Sequence, residues 1–174
     1  MSERKFEPKV LALCCTYCAY TAADLAGSLR LEYSPNVRVV KLMCSGKVDP
    51  ILLLRAFERG ADAVFVAGCA QGECHFLEGN VRGKRAVQHA KRLIAELGLE
   101  PERLEFFHIP ASDGPLFARC ADQMTARARE LGPNPLRSSA QQDAGSALEQ
   151  PRDAHPALPQ CRAGVLIRAA EGDE

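Results

Sequence analysis

Along residues 9–132, four short apolar runs alternate with four stretches of helical periodicity, and nothing else in the sequence restricts the fold so strongly. The runs KVLALC (9–14), VRVVKLM (37–43), ADAVFVAG (61–68) and RLEFFHI (103–109) read as buried strands. AADLAGSLRLEY (22–33) then places Leu25, Leu29 and Tyr33 at helical spacing, with Asp24 a candidate cap. VDPILLLRAFERG (48–60) carries Asp49 as the predicted N-cap, Pro50 at the first helical position and Gly60 at the stop. From Asn80, a helix with Val87, Ala90, Ile94 and Leu97 on one face ends at Gly98. The stretch 114–132 repeats that spacing through Phe117, Cys120, Met124 and Leu131, and GPNP closes it.

Four successive strand–helix units imply an α/β fold with a parallel sheet covered on both faces by helices. Right-handed crossovers prune the topologies, and the expected result is a four-stranded doubly wound (Rossmann- or flavodoxin-like) sheet in the order 2-1-3-4. Its domain is expected to span residues 1–136. Residues 137–174 are polar, proline-rich and aperiodic, and are expected to form a disordered tail. AGVLIRA (163–169) stands out in that tail as a segment to pack locally or bind a partner.

Charge narrows the function classes. Lys plus Arg and Asp plus Glu are equal at 22 each, which gives no electrostatic case for nucleic acid or an anionic membrane. No stretch approaches the roughly 18 apolar residues of a membrane span, and the polar start MSERKFEPK does not read as a secretory signal. A cytoplasmic location is therefore expected. Disulfides rarely persist there, so the eight cysteines are better read as ligands, redox groups or core residues. The phosphate-cradling glycine motifs and a persuasive Ser/His/Asp set are both missing from the sequence.

Five cysteines follow strands. Cys15 and Cys18 lie after the first, Cys44 after the second, and Cys69 and Cys74 after the third. In the 2-1-3-4 order those three loops are neighbours at the carboxyl edge, where ligands settle in open parallel sheets. Thiolates are soft donors suited to iron–sulfur clusters and to zinc, and a cluster usually takes four of them. The Cys-x-x-Cys pair fits one centre and the Cys-x4-Cys pair another, with Gly46, Gly68 and Gly72 letting backbone amides approach sulfur. Five candidates leave one spare. Cys44, without a local pair, is the least secure ligand, though it would equally replace Cys18.

Plainer readings stand beside these. Cys14 alternates away from Cys15 and should face the core, Cys120 lies on an apolar helix face, and Cys161 sits in the tail. A four-thiolate zinc site is one rival, although zinc usually staples folds that lack a core. A dithiol oxidoreductase built on CTYC is another, with Pro110 after the fourth strand a candidate cis residue. That reading leaves Cys44, Cys69 and Cys74 without a role. His75 reads as a surface histidine, and otherwise as a hydrogen-bond donor beside Cys74 or an alternate ligand. Lys47, Arg30 and Arg55 read as solvated cations or as counter-charges to a cluster.

CTYCAYTAADLAGSLRLEY (15–33), VKLMCSGKVDPILLLRAFERGADAVFVAGCAQGECHFLEGN (40–80) and ELGPNP (130–135) together resemble the delta subunit of methyl-viologen-reducing hydrogenase. The resemblance runs from about residue 9 to 136. It implies a 2Fe–2S cluster with Cys15, Cys18, Cys44, Cys69 and Cys74 matching the family's five cysteines, four of them as ligands. It also implies an electron-transfer subunit of an oxidoreductase complex rather than a catalyst in its own right. Electrons would pass between a hydrogenase or formate dehydrogenase module and the flavin subunit of a heterodisulfide-reductase-type complex. Two departures are visible. Tyr17 stands where the family often has Trp, and Ala70, Gln71, Gly72 and Glu73 stand where it often has His-Pro-Gly-Asp.

Overall fold

The computed structural model describes residues 6–136. The tail expected over 137–174, its segment 163–169 and Cys161 lie outside the described residues. The elements run β1 (Val10–Cys15), α1 (Ala19–Ser28), β2 (Val37–Leu42), α2 (Pro50–Glu58), β3 (Ala63–Gly68), α3 (Gly79–Glu96), β4 (Leu104–His108) and α4 (Gly114–Leu131), with 3-10 turns at Ser45–Lys47 and Pro101–Arg103. All four strands are parallel and their order is β2-β1-β3-β4, as the alternation predicts. Each of β1 and β3, buried along nearly its whole length, carries residues that serve both faces, which is why neither run alternates.

Two cores flank the sheet. On one face α1 and α4 close over Val10, Ala12, Cys14, Phe65, Phe117, Cys120 and Met124. On the other, α2 and α3 close over Leu13, Val64, Val66, Leu53, Phe57, Val87, Ile94 and Leu104. Each fully buried large side chain contributes about 1.5–3 kcal/mol. Cys14 and Cys120 are core residues, as their positions imply.

Several local expectations need correction. The buried stripe of α1 is Ala19, Ala22 and Ala26; Leu29 is exposed, and Leu25 and Tyr33 are only partly buried. The reason is close approach: a Cβ on Gly114 of α4 would stand 2.9 Å from the Ala26 nitrogen, so only methyl-sized groups fit between these helices. α1 also begins at Ala19, so Asp24 lies inside it and caps nothing; the capping position is Cys18, whose side chain makes no cap bond. Leu97 is exposed at the end of α3, and the apolar face of α4 continues through Ala128 rather than Leu131. Pro110 is trans, because the described residues contain no cis peptide bond. Asp49 does cap α2, its Oδ1 accepting from Ile51 N at 2.7 Å, a bond worth about 1 kcal/mol.

The amino-terminal end of the sheet is closed by a buried polar network. The Asp62 carboxylate accepts from Lys9 N at 2.7 Å and Asn134 N at 2.9 Å. Asn134 donates to the Phe57 and Ala61 carbonyls, both at 2.8 Å. Arg103 is buried whole; it donates to the carbonyls of Asp62, Leu131 and Gly132 and pairs with Glu100 at 2.7 Å. These residues tie the closing GPNP segment to the start of β3.

Candidate metal centre at the carboxyl ends of the strands

The opposite end of the sheet holds the thiols. Cys15 is the last residue of β1, level with Leu42 of β2, and Cys69 follows the last residue of β3. β1 lies between β2 and β3, so the loops after these three strands meet above it. Cys15, Cys18 and Cys69 place their sulfurs within 4.8 Å of one another, and Cys15 Sγ is 4.0 Å from Cys69 Sγ. All five loop cysteines are buried. Cys44 and Cys74 pack together next to this trio: both sulfurs back onto Gly79, where a Cβ would collide with Cys44 Sγ and lie 3.1 Å from Cys74 Sγ. The local pairs of the sequence are thus regrouped. Cys69 sits with Cys15 and Cys18, while Cys44 finds its neighbour in Cys74.

Tight backbone approach makes this grouping. A Cβ on Gly46 would lie 2.9 Å from Gly79 Cα, and one on Gly83 would lie 2.7 Å from the Ser45 carbonyl oxygen. The first turns of α3 therefore press against the Ser45–Lys47 turn, bringing the second and third cysteine loops together. Of the three glycines expected to admit amides to sulfur, Gly46 does so, its N–H reaching Cys44 Sγ at 3.4 Å. Gly68 instead makes room for Ser45 and Phe106, and Gly72 sits in a turn at φ +80°.

The electrostatics of the trio are those of like groups sharing a small volume. Cys15 is the thiolate of the set, lowered to about 5: the Cys18 thiol donates to it, and the backbone N–H groups of Tyr17 and Ser45 and the Cys69 thiol add to this against the cost of burial. Cys18 is raised, because it supplies that hydrogen bond and is itself buried. Cys69 is raised by burial, partly offset by its bond from Cys18 and by the His75 N–H. Burial also raises Cys44, against the Gly46 N–H. Cys14, by contrast, is pushed to about 12 by burial and then by the charge of Cys15. It belongs to the core and not to the site.

Two residues that sequence reasoning passed over hold the Cys69 turn. Asn80, buried at the start of α3, donates to the Cys69 carbonyl at 3.2 Å and the Ala70 carbonyl at 2.8 Å. His108, at the end of β4, places Nδ1 2.9 Å from the same Cys69 oxygen, so Nδ1 carries the proton; Nε2 is buried and has no partner. The fourth strand carries no thiol yet reaches the site through this ring. An Asn at a helix start and a His at a strand end were the available signals. His75 is exposed and stacks on Tyr17 with ring centroids 4.0 Å apart, and Phe76 abuts both rings edge-on. This aromatic stack links the first and third cysteine loops over the site.

The grouped donors are all sulfur, with N–H groups aimed at them, which is the chemistry of a thiolate-bound metal centre. Residues 10–132 match the family described as methyl-viologen-reducing hydrogenase, delta subunit. The chain belongs to this family. Among its relatives, the vhu iron-sulfur subunit of the F420-non-reducing hydrogenase from Methanocaldococcus jannaschii is 44% identical over 132 residues, covering 76% of this chain and 98% of the relative. The iron-sulfur subunit of the F420-non-reducing hydrogenase from Archaeoglobus profundus is 44% identical over 133 residues, covering 76% and 96%. A third match has a different setting. One subunit of the ferredoxin/F(420)H(2)-dependent CoB-CoM heterodisulfide reductase from Methanosarcina acetivorans is 40% identical over 126 residues, which are 72% of this chain but 16% of that protein. The match to the family spans all four strands and all three thiol loops. Among the described residues no helix is long and apolar enough to cross a membrane.

Proposed function

We propose that this delta-subunit family member is an iron–sulfur electron-transfer subunit that holds a 2Fe–2S cluster on four of Cys15, Cys18, Cys44, Cys69 and Cys74. The observation that carries the reading is the convergence of Cys15, Cys18 and Cys69 sulfurs from loops 54 residues apart in sequence. Cys44 or Cys74 supplies the fourth thiolate, since both stand against Gly79 beside the trio. The names of the two hydrogenase relatives, both iron-sulfur subunits, support the same cofactor class.

A bound cluster of this kind supplies one-electron acceptance and release. The chain's own work is to hold and surround it. Burial of all five thiols keeps water from the sulfurs. The N–H groups of Tyr17, Ser45, Gly46 and His75 stabilise thiolate charge. Around the site Tyr17, Met43, Phe76 and Leu77 are exposed, Leu77 to 87%. Large apolar side chains gathered at the surface mark a contact face, and a relay needs its centre close to such a face. The partners we assign are a hydrogenase or formate dehydrogenase module and the flavin subunit of a heterodisulfide-reductase-type complex. The match to a short part of a heterodisulfide reductase chain supports the second, because there a similar sequence is part of one longer polypeptide.

Chain purified and reconstituted without oxygen should show a visible charge-transfer spectrum, a reduced-state EPR signal, and about two iron and two sulfide per chain. One zinc per chain with no iron would replace the relay with a zinc-stabilised interaction module. Thiol–disulfide exchange that survives loss of Cys69 and Cys74 but not of Cys15 would replace it with a dithiol oxidoreductase.

A further inference from the structure

A second surface lies away from the thiols. A groove of ≈ 310 Å³ runs between the start of β1, the edge strand β2 and the last turn of α2. Leu11 and Leu52 give it an apolar floor, and Lys9, Arg38, Arg55 and Arg59 line it with four exposed cations. None of these four side chains has an ion pair among the described residues, and no carboxylate lines the groove. Like charges gathered without a counter-charge repel one another, and an anionic occupant relieves that repulsion. The groove exists because β2 is under-covered. α2 packs toward β3 and α3, which leaves Val40 on β2 and Ile51 and Leu52 on α2 exposed.

The groove opens onto unpaired backbone. β2 is an outermost strand, with β1 its one partner among the described residues. The Val10 N–H bonds the Asn36 carbonyl and the Thr16 N–H bonds the Leu42 carbonyl. In the alternation of a parallel ladder, the even-numbered residues of β2 therefore face β1. Val39 and Lys41 turn their N–H and C=O groups to the open edge, where no described residue bonds them. A free edge of this kind is a template for another strand. Arg38 and Lys41 select which one. A second copy of this chain would bring the same cations to the same edge and be repelled, whereas an acidic strand is attracted.

We propose that β2 receives an extended acidic segment of a partner protein as an added strand. The segment's backbone bonds Val39 and Lys41. Its groove-facing side chains are carboxylates that pair with Arg38, Arg55 and Arg59, together with an aliphatic group that covers Val40 and Leu52. In strand addition of this kind, main-chain bonds supply affinity and every second side chain supplies selectivity. No thiol lines the groove, so the proposal stands whether or not a metal centre is bound.

The test titrates the full-length chain with a short fluorescein-labelled peptide in which threonine alternates with glutamate, valine and glutamate. One face of that peptide is then acid, aliphatic and acid. Saturable binding by fluorescence anisotropy is expected, weakening about tenfold as salt screens the charges. The same peptide with lysine for glutamate should not bind. Amide exchange at Val39 and Lys41 should slow about tenfold in the complex, while Arg38 and Val40, already bonded to β1, stay unchanged. R38E/R55E/R59E should lose the acidic peptide and accept the lysine one. Because that variant could misfold, a further measurement leaves the protein unaltered. N-methylation of one alternate set of peptide amides should weaken binding at least about tenfold, and methylation of the other set should be tolerated. No binding, equal binding of the lysine peptide, or unchanged exchange at Val39 and Lys41 would each overturn the proposal. So would tolerance of both methylated sets, which marks a simple anion site, or protection of the same amides by self-association of the chain alone.

Discussion

The two ends of the sheet solve opposite problems. At the amino-terminal end, Asp62, Arg103 and Asn134 are buried and each meets groups of complementary kind, carboxylate with N–H and guanidinium or amide with carbonyl. At the carboxyl end, Cys15, Cys18 and Cys69 are buried and meet one another, sulfur against sulfur. Complementary pairing fixes structure, because removing one partner strands the other in a low-dielectric interior. Like groups pressed together gain little from each other as protein groups. The chain thus pairs its buried polar groups at one pole and gathers five buried thiols at the other.

The widest split between the poles should come from Cys69→Ser. It should abolish the visible spectrum and EPR signal of the reconstituted chain while leaving far-UV circular dichroism intact, whereas Cys120→Ser should keep both signals. Arg103→Met should do the reverse. It leaves three carbonyls without donors and should cost about 3 kcal/mol in urea unfolding, with iron per folded chain unchanged. If Arg103→Met instead lost the cluster selectively, the two poles would not be independent.

How much of this was legible beforehand divides along the same line. The strand–helix alternation, the positions of α2, α3 and α4 and the Asp49 cap follow from periodicity and end signals, which are local, whereas α1 starts three residues earlier than its periodicity implies. The meeting of the three thiol loops follows from topology. The regrouping of the cysteines does not, because it depends on how closely α3 approaches the Ser45–Lys47 turn, and that distance is set by glycines that carry no periodic signal. The α1 stripe failed for a related reason. Leu25 and Leu29 have the spacing, but Gly114 brings α4 so near that alanines take the interface. Arg103 and Asp62 look like surface charges in the sequence and are buried only because long-range partners satisfy them.

Smaller effects sharpen the comparison. Gly79→Ala places a methyl against both Cys44 and Cys74 and should cost about 1–3 kcal/mol as overpacking, with a changed spectrum. The same change at Gly27, where nothing lies within 4 Å of the new methyl, should leave the spectrum unchanged. Asn80→Ala and His108→Ala release the Cys69 carbonyl and should weaken cluster retention against a chelator by about tenfold, the scale of lost outer hydrogen bonds, without altering its spectral type. The smallest effect lies between the poles, at Glu105. Burial raises its carboxyl, but the bonds from Lys91 and the Phe106 N–H, with the charges of Lys91 and Arg127, outweigh this and hold it below the ordinary value. Its stabilisation is therefore present at neutral pH and lost as the pH falls through the depressed value. Glu105→Gln should cost about 0.5 kcal/mol at pH 7, the scale of a partly exposed pair, and the difference from the parent should vanish in acid unfolding.

The sulfur trio draws on residues 15, 18 and 69, and the residues that steady its third member are 80 and 108. No nascent chain on the ribosome can present the trio until β3 has emerged and docked beside β1. The last brace comes only with the end of β4. The three sulfurs therefore come together only at a late stage of synthesis, and a translation product that stops between α2 and β3 would carry the CTYC pair and Cys44 without Cys69 or Cys74.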